Sequence, residues 1–151
     1  MNKISQQVIE VFSKIILTVI LSGFIGTERF LHQKGAGMRT HILLGVGSTL
    51  LVLTSFYVSD IHRYINPGDP TRVIAAIVTG IGFLCAGTII RTGDNITGLT
   101  TSASLWVVSG IGIAVGAGYW IPAVIVTLVV FGVLASLRSF EKKLETYFKK
   151  Q

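Results

Sequence analysis

Residues 72–107 read RVIAAIVTGIGFLCAGTIIRTGDNITGLTTSASLWV, and the fold is decided by how this stretch is taken. It contains two apolar runs, each close to the ~20 residues of a bilayer crossing, separated by a short polar turn. In the first run Ala76, Gly80, Phe83, Gly87 and Arg91 share one face at helical spacing. Small residues on such a face let a neighbouring helix approach closely, which is how helices gain packing energy in lipid. The spacing predicts a helix over 71–91 that ends on Arg91, where positive charge suits the C-terminal dipole. The turn 92–98 holds Asp94 and Asn95, and Thr100 or Thr101 is the expected N-cap of the helix that follows. Charge and hydroxyl groups therefore collect where two close-packed helices meet the membrane edge, and function is expected there first.

Composition extends this reading to the whole chain. Half of the 151 residues are hydrophobic and only 13% are charged, against about a quarter in soluble domains. Five crossings account for most of the length, at about 9–28, 40–58, 71–91, 100–118 and 121–138, with a basic tail over 139–151. The expected fold is an all-α bundle of five transmembrane helices in one domain, without a linker to a second one. The net charge of +6 does not point to nucleic acid. Its cations stand beside apolar spans, where the positive-inside rule accounts for them. The single Cys85 lies within a span, so neither a disulfide framework nor a metal knuckle is available.

Residues 1–14 form an amphipathic lead-in, with Glu10 and Lys14 at helix-supporting i,i+4 spacing. The apolar run after it is read as a retained helix, because charged residues and further spans follow at once. Thr18, Ser22 and Gly26 recur every four residues and form its packing seam. Gly45, Gly47 and Ser48 lie in an apolar helix without the Gly-Lys-Ser/Thr of a phosphate loop, so they too are packing residues. The cluster Pro67-Gly68-Asp69-Pro70 signals a turn. Gly112 and Gly116, extended by Ser109, give the fourth helix a second small-residue seam, usable within the chain or between copies of it. Tyr119 and Trp120 are interface anchors, Pro122 fits the first turn of the fifth helix, and that Val/Ile/Leu-rich helix is expected to face lipid.

Arg29, Lys34, Arg39, Arg91, Arg138, Lys142, Lys143, Lys149 and Lys150 fall on one side of such a bundle, against Lys3, Lys14, Arg63 and Arg72 on the other. The richer side is expected in the cytoplasm, which puts the N-terminus outside and the C-terminus inside. Glu28, Arg29, Arg39, His41, Arg91, Asp94, Asn95, Thr100 and Thr101 then gather on or near the cytoplasmic face, where the spacing permits Glu28–Arg39 or Arg91–Asp94 pairing. They are the candidate contacts for a partner helix, an ion or a lipid headgroup. The three arginines beside a helix N-terminus favour an anionic group. Gly26, Gly80, Gly82, Gly87, Gly98, Gly112 and Gly116 are the candidate packing scaffold. All carboxylates, namely Glu10, Glu28, Asp60, Asp69, Asp94, Glu141 and Glu145, map to span ends, loops or the tail. A dedicated Mg²⁺ cage at a midplane is therefore not expected. His32, His41 and His62 sit at helix ends or in loops, without a catalytic or metal-ligand spacing around Cys85. No enzyme activity, cofactor or metal centre is expected.

The runs GIGFLCAGTII and GLTTSASLWV, preceded by SGFIGTER at 22–29 and GMRTH at 37–41, resemble the MgtC/SapB family of bacterial inner-membrane proteins. That family shows G-x-G-F-L-G-A-G and then G-L-T-T-A-A-x-L-W, and Cys85 stands where its third glycine is usual. The resemblance covers about residues 15–120. It implies a non-enzymatic, regulatory membrane protein active at low magnesium or under stress, with the proton-translocating ATP synthase as partner and virulence-related members. Magnesium or other cation transport is the alternative. The chain resembles the short, SapB-like form without a C-terminal soluble domain. The virulence-linked branch tends to carry Asn where Thr100 stands and Cys where Val107 stands.

Overall fold

The computed structural model describes residues 2–62, 64 and 68–148. Arg63, Pro67, Lys149 and Lys150 lie outside the described residues, as do the side chains of Lys3, Arg138, Glu141, Lys142, Lys143 and Glu145. Within them the chain forms helices α1 (Lys3–Leu31), α2 (Met38–Ile61), α3 (Thr71–Gly87), α4 (Leu99–Gly116) and α5 (Trp120–Phe148). A two-stranded antiparallel hairpin, β1 (Ile90–Thr92) and β2 (Asn95–Thr97), separates α3 from α4. Three helices, Ile4–Leu31, Met38–Ile61 and Leu99–Gly116, are long and apolar enough to cross a membrane. Thr71–Gly87 and Trp120–Ser136 are shorter apolar helices. The amphipathic lead-in is continuous with α1, and α5 runs on to Phe148 through most of the basic tail.

α2 is the centre of the bundle. Along α1 the seam residues Thr18, Ser22 and Gly26 meet Thr49, Gly45 and Met38 in turn, so α1 and α2 run antiparallel. Along α4, Ser104, Ser109 and Gly112 meet His41, Ser48 and Thr49, so α2 and α4 run parallel. Glycine makes both contacts possible. A Cβ on Gly45 would collide with Ser22 Oγ, and one on Gly112 would collide with the carbonyl oxygen of Gly45. The Gly112–Gly116 seam is thus occupied inside the chain: a Cβ on Gly116 would stand 3.0 Å from the Thr49 carbonyl oxygen. Apolar layers flank this three-helix centre. Leu21, Ile25, Val108, Ile111, Val115 and Ala123 join α1, α4 and α5. Val52, Ile77, Ile81, Cys85 and Leu105 join α2, α3 and α4, with Ala36 of the first loop. Phe24 and Phe131 stack at 4.1 Å between α1 and α5.

Two expectations for the opening stretch are corrected. α3 does not pack on its Ala76–Gly80–Phe83–Gly87 face. It turns Ile77, Ile81 and Cys85 inward, while Phe83 is 84% exposed and the Cβ directions of Gly80, Gly82 and Gly87 point into open space. The branched side chains present more dispersion area to α4 than the glycine face does. Nor does α3 reach Arg91. It stops at Gly87, and Ile90–Thr92 pairs with Asn95–Thr97 across the two-residue turn Gly93-Asp94. β-Branched residues flank that turn, and Gly93, at φ +61°, takes its first position. α4 then begins at Leu99 with Gly98 as N-cap, so neither Thr100 nor Thr101 is the cap. Gly98 has φ +90° and lies so close to Thr88 that a Cβ would strike its carbonyl oxygen.

Candidate functional site

Hydroxyl groups line the contact of α1, α2 and α4, and they are spent on one another. Thr49 donates to the carbonyl of Gly112 at 2.9 Å. In its 2.8 Å bond with Thr18, Thr49 is therefore the acceptor. The carbonyl of Lys14, 3.0 Å from the Thr18 hydroxyl, competes with Thr49 for that one proton. Ser48 and Ser109 bond at 2.9 Å. Where hydrocarbon surrounds a bundle and water is absent, such pairing satisfies polar groups that have no other partner. Ser22 is the exception, with a buried hydroxyl lacking any hydrogen bond.

The seam ends at His41, which is fully buried. Its Nδ1 lies 2.9 Å from the carbonyl of Gly37 and its Nε2 lies 3.0 Å from Ser104 Oγ. A carbonyl only accepts, so Nδ1 carries a proton. Ser104 has one proton and two acceptors in reach, since the Thr101 carbonyl is 2.8 Å away. With a neutral imidazole, Ser104 donates to Nε2. With an imidazolium, Nε2–H donates to Ser104, whose proton turns to Thr101. The pair accommodates either state by rotation of one hydroxyl.

One helical turn beyond the Gly26 contact, α1 buries Glu28 and Arg29 together, each 4% exposed. Glu28 Oε1 lies 2.9 Å from His32 Nδ1, and Glu28 Oε2 lies 3.4 Å from Arg29 Nε. The second approach is an ion pair without hydrogen-bond geometry: Glu28 Oε2 and Arg29 Nε have no hydrogen-bond partner. The expected Glu28–Arg39 pair is not formed, because Arg39 is on the exposed side of the first turn of α2 while Glu28 turns to its own helix.

Of the other sequence candidates, Thr101 is buried beside Ser104, and Thr100 faces outward. Arg91 and Asp94 are exposed on the hairpin, and Arg91 Nε donates to the carbonyl of Gly93 at 3.0 Å instead of pairing with Asp94. The structure therefore brings Glu28, Arg29 and Thr101 to one end of the bundle and leaves Arg39, Arg91, Asp94 and Thr100 on its surface. From the sequence His41 is expected only near the cytoplasmic face and Ser48 and Ser109 only as packing residues, while Thr49 and Ser104 carry no expectation. Their signal is the stripe His41, Gly45, Ser48, Val52 on α2 and Thr101, Ser104, Val108, Gly112 on α4, each at three- and four-residue spacing. Among the described residues no group of three or more His, Cys, Asp or Glu side chains is arranged to hold a metal ion.

Comparison with known proteins identifies the family. The profile of the MgtC family matches residues 15–143. A protein of Escherichia coli K12, YhiD, named as a candidate magnesium transporter, is 44% identical over 113 residues, covering 74% of this chain and 53% of that protein. Protein MgtC of Brucella abortus is 41% identical over 126 residues, 83% of this chain and 50% of that protein. Protein MgtC of Salmonella typhimurium is 39% identical over 116 residues, 77% and 47% of the two chains. The chain spans about half the length of these curated relatives. No solved structure matches it. A profile match over residues 15–143, most of the chain, makes this membrane protein a member of the MgtC family.

Proposed function

We propose that the chain is a multi-pass, five-span protein of the bacterial cytoplasmic membrane, with its N-terminus outside and its C-terminus inside, and that it acts without catalysis by binding other membrane proteins. α3 and the apolar part of α5 complete the five spans, α3 crossing with help from its hairpin at the membrane edge. The observation that carries this reading is the outward face of α3. Ala76, Gly80 and Gly87 leave open space there beside an 84%-exposed Phe83, a shape that accepts another helix at close range. The inside of the bundle supports the same reading. Apart from that of Ser22 its hydroxyls are paired, and its glycines are in contact, so the α1–α2–α4 seam offers no wet path.

Within this reading the partner is the proton-translocating ATP synthase, and the role is regulation of membrane energetics at low magnesium or under stress. The name of the Escherichia coli relative favours a second reading, magnesium transport. Two measurements separate them. Purified protein added to membranes containing the ATP synthase is expected to lower ATP-driven proton pumping, and Gly80→Leu on the outward face is expected to relieve that inhibition. Unchanged pumping removes this partner. Saturable Mg²⁺ uptake into sealed proteoliposomes, above that of empty vesicles, would replace the regulatory reading with transport.

A further inference from the structure

Arg29 is a buried cation whose pairing is incomplete. A guanidinium carries five N–H donors and stays charged at any relevant pH. Here it is 4% exposed, its one ionic neighbour is a carboxylate oxygen at 3.4 Å, and its buried Nε has no hydrogen-bond partner. A buried charge of this kind is costly unless something else binds it.

Its surroundings show the sign of the missing partner. Gly26 presses on Met38 and His41 at the start of α2, and Arg29, three residues on, continues the same face of α1. Because α2 and α4 are parallel and joined there by the His41–Ser104 bond, their N-termini open at this same end. Gly37 is the N-cap of α2 and Gly98 that of α4, so neither helix has a side-chain cap. Their first N–H groups are therefore free, and both dipoles present their positive ends. The opposing dipole of α1 is largely masked. The carbonyls of Glu28, Arg29 and Phe30 accept bonds from the backbone N–H groups of His32, Lys34 and Gln33. The other ionisable groups at this end are Glu28 beside His32, the buried His41, and Lys34, Arg39, Arg91 and Asp94 on the surface. Glu28 is the one buried carboxylate at this end among the described residues; against it and the exposed Asp94 stand the Arg29 guanidinium, three exposed cations and two open helix N-termini.

We propose that Arg29, with the uncapped first turns of α2 and α4, binds one oxyanion of the phosphate class at this end of the bundle. The group is either free phosphate or the phosphate of a lipid headgroup, since both offer the same oxygens to a guanidinium fork and to helix N–H groups. The site stands whether the protein regulates a partner or moves an ion.

The test uses the full chain purified in a neutral detergent, with thermal unfolding followed at constant ionic strength. Inorganic phosphate that raises Tm saturably, where chloride does not, identifies a soluble anion. A saturable rise with phosphatidylglycerol, absent with phosphate and with a phosphate-free galactolipid, identifies a headgroup. In either case Arg29→Gln is expected to weaken the half-saturation point by roughly tenfold or more, as loss of a charged hydrogen-bonding partner implies. Arg72→Gln, at the opposite end of the bundle, is expected to leave it unchanged. A wild-type protein whose Tm responds to neither titration overturns the proposal, and so does an Arg29→Gln protein that keeps the wild-type response. The wild-type titrations decide the matter even if Arg29→Gln fails to fold.

Discussion

Gly45 carries two helix contacts at once, with Ser22 of α1 on one side and Gly112 of α4 on the other. Gly45→Ala is therefore expected to destabilise the bundle by about 1–3 kcal/mol, the usual cost of overpacking. Ser22 gives this prediction a partner. Its buried hydroxyl has no hydrogen bond, so Ser22→Ala alone should be neutral or stabilising. Because that change also removes the atom a Gly45 methyl would hit, the double variant should recover part of the loss. Unfolding in mixed micelles measures all three, and strictly additive effects would contradict the contact. Ser104→Ala is different in kind, because it leaves His41 Nε2 without a partner. The expected loss is about 1 kcal/mol, the scale of interhelical hydrogen bonds in lipid. Much of this seam is legible in the sequence. The spacing of Thr18, Ser22 and Gly26, and of Gly112 and Gly116, marks faces where backbones come close. What the spacing leaves open is the partner. His41 reads as a helix-end residue by position, yet α4 covers it completely, and only the three-dimensional register supplies Ser104.

At the scale of elements, the stretch 88–98 separates what local sequence determines from what it conceals. The apolar runs on either side are evident, but hydropathy carries Ile89 and Ile90 into the preceding helix. The hairpin signal, β-branched residues around Gly93-Asp94, is short and overlaps a run that also reads as membrane span. Gly98 is the hinge of this elbow. Gly98→Ala places a non-glycine residue at φ +90° against the Thr88 carbonyl. The expected cost is about 1–3 kcal/mol from backbone strain alone, seen as a lower unfolding midpoint, whereas Gly93→Asn should be tolerated better because Asn accepts φ near +61°. At the other end of α3, Asp69 Oδ1 accepts from the backbone N–H of Thr71 at 2.8 Å and from its hydroxyl at 2.7 Å. The Thr71 hydroxyl, then its amide, holds the exposed Asp69 carboxyl below its ordinary value. Its contribution is thus fully present above the unfolded aspartate pKa and is lost as pH falls through the lowered folded value. Protection of the first-turn amides of α3, taken relative to their intrinsic exchange rates, should fall over that acidic window. Asp69→Ala should show low protection at every pH, and a wild type whose protection does not change with pH would show that the two bonds do not hold the turn.

For the molecule as a whole, the arrangement implies unequal stability. α1, α2 and α4 share glycine contacts and interhelical hydrogen bonds. α3 is held by one apolar ridge, Ile77, Ile81 and Cys85, and an apolar groove of about 470 Å³ opens between it and α2. Regions with few buried contacts open below the global unfolding free energy, so α3 and its hairpin should detach before the three-helix centre comes apart. The single cysteine reports on this directly. Cys85 is 7% exposed and its thiol donates to the carbonyl of Ser102 at 3.3 Å, so a membrane-permeant maleimide reaches it only when α3 leaves α4. Ser109→Cys, in a Cys85→Ala background, places a comparable thiol in the α2–α4 seam. In reconstituted vesicles under mild denaturant, Cys85 should be modified at lower denaturant concentration than the cysteine at 109. Coincident midpoints would mean that the five helices open as one unit, and the outward face of α3 would then be a fixed surface of the bundle. Separate midpoints would make α3 the element free to exchange its contact with α4 for one with another membrane helix.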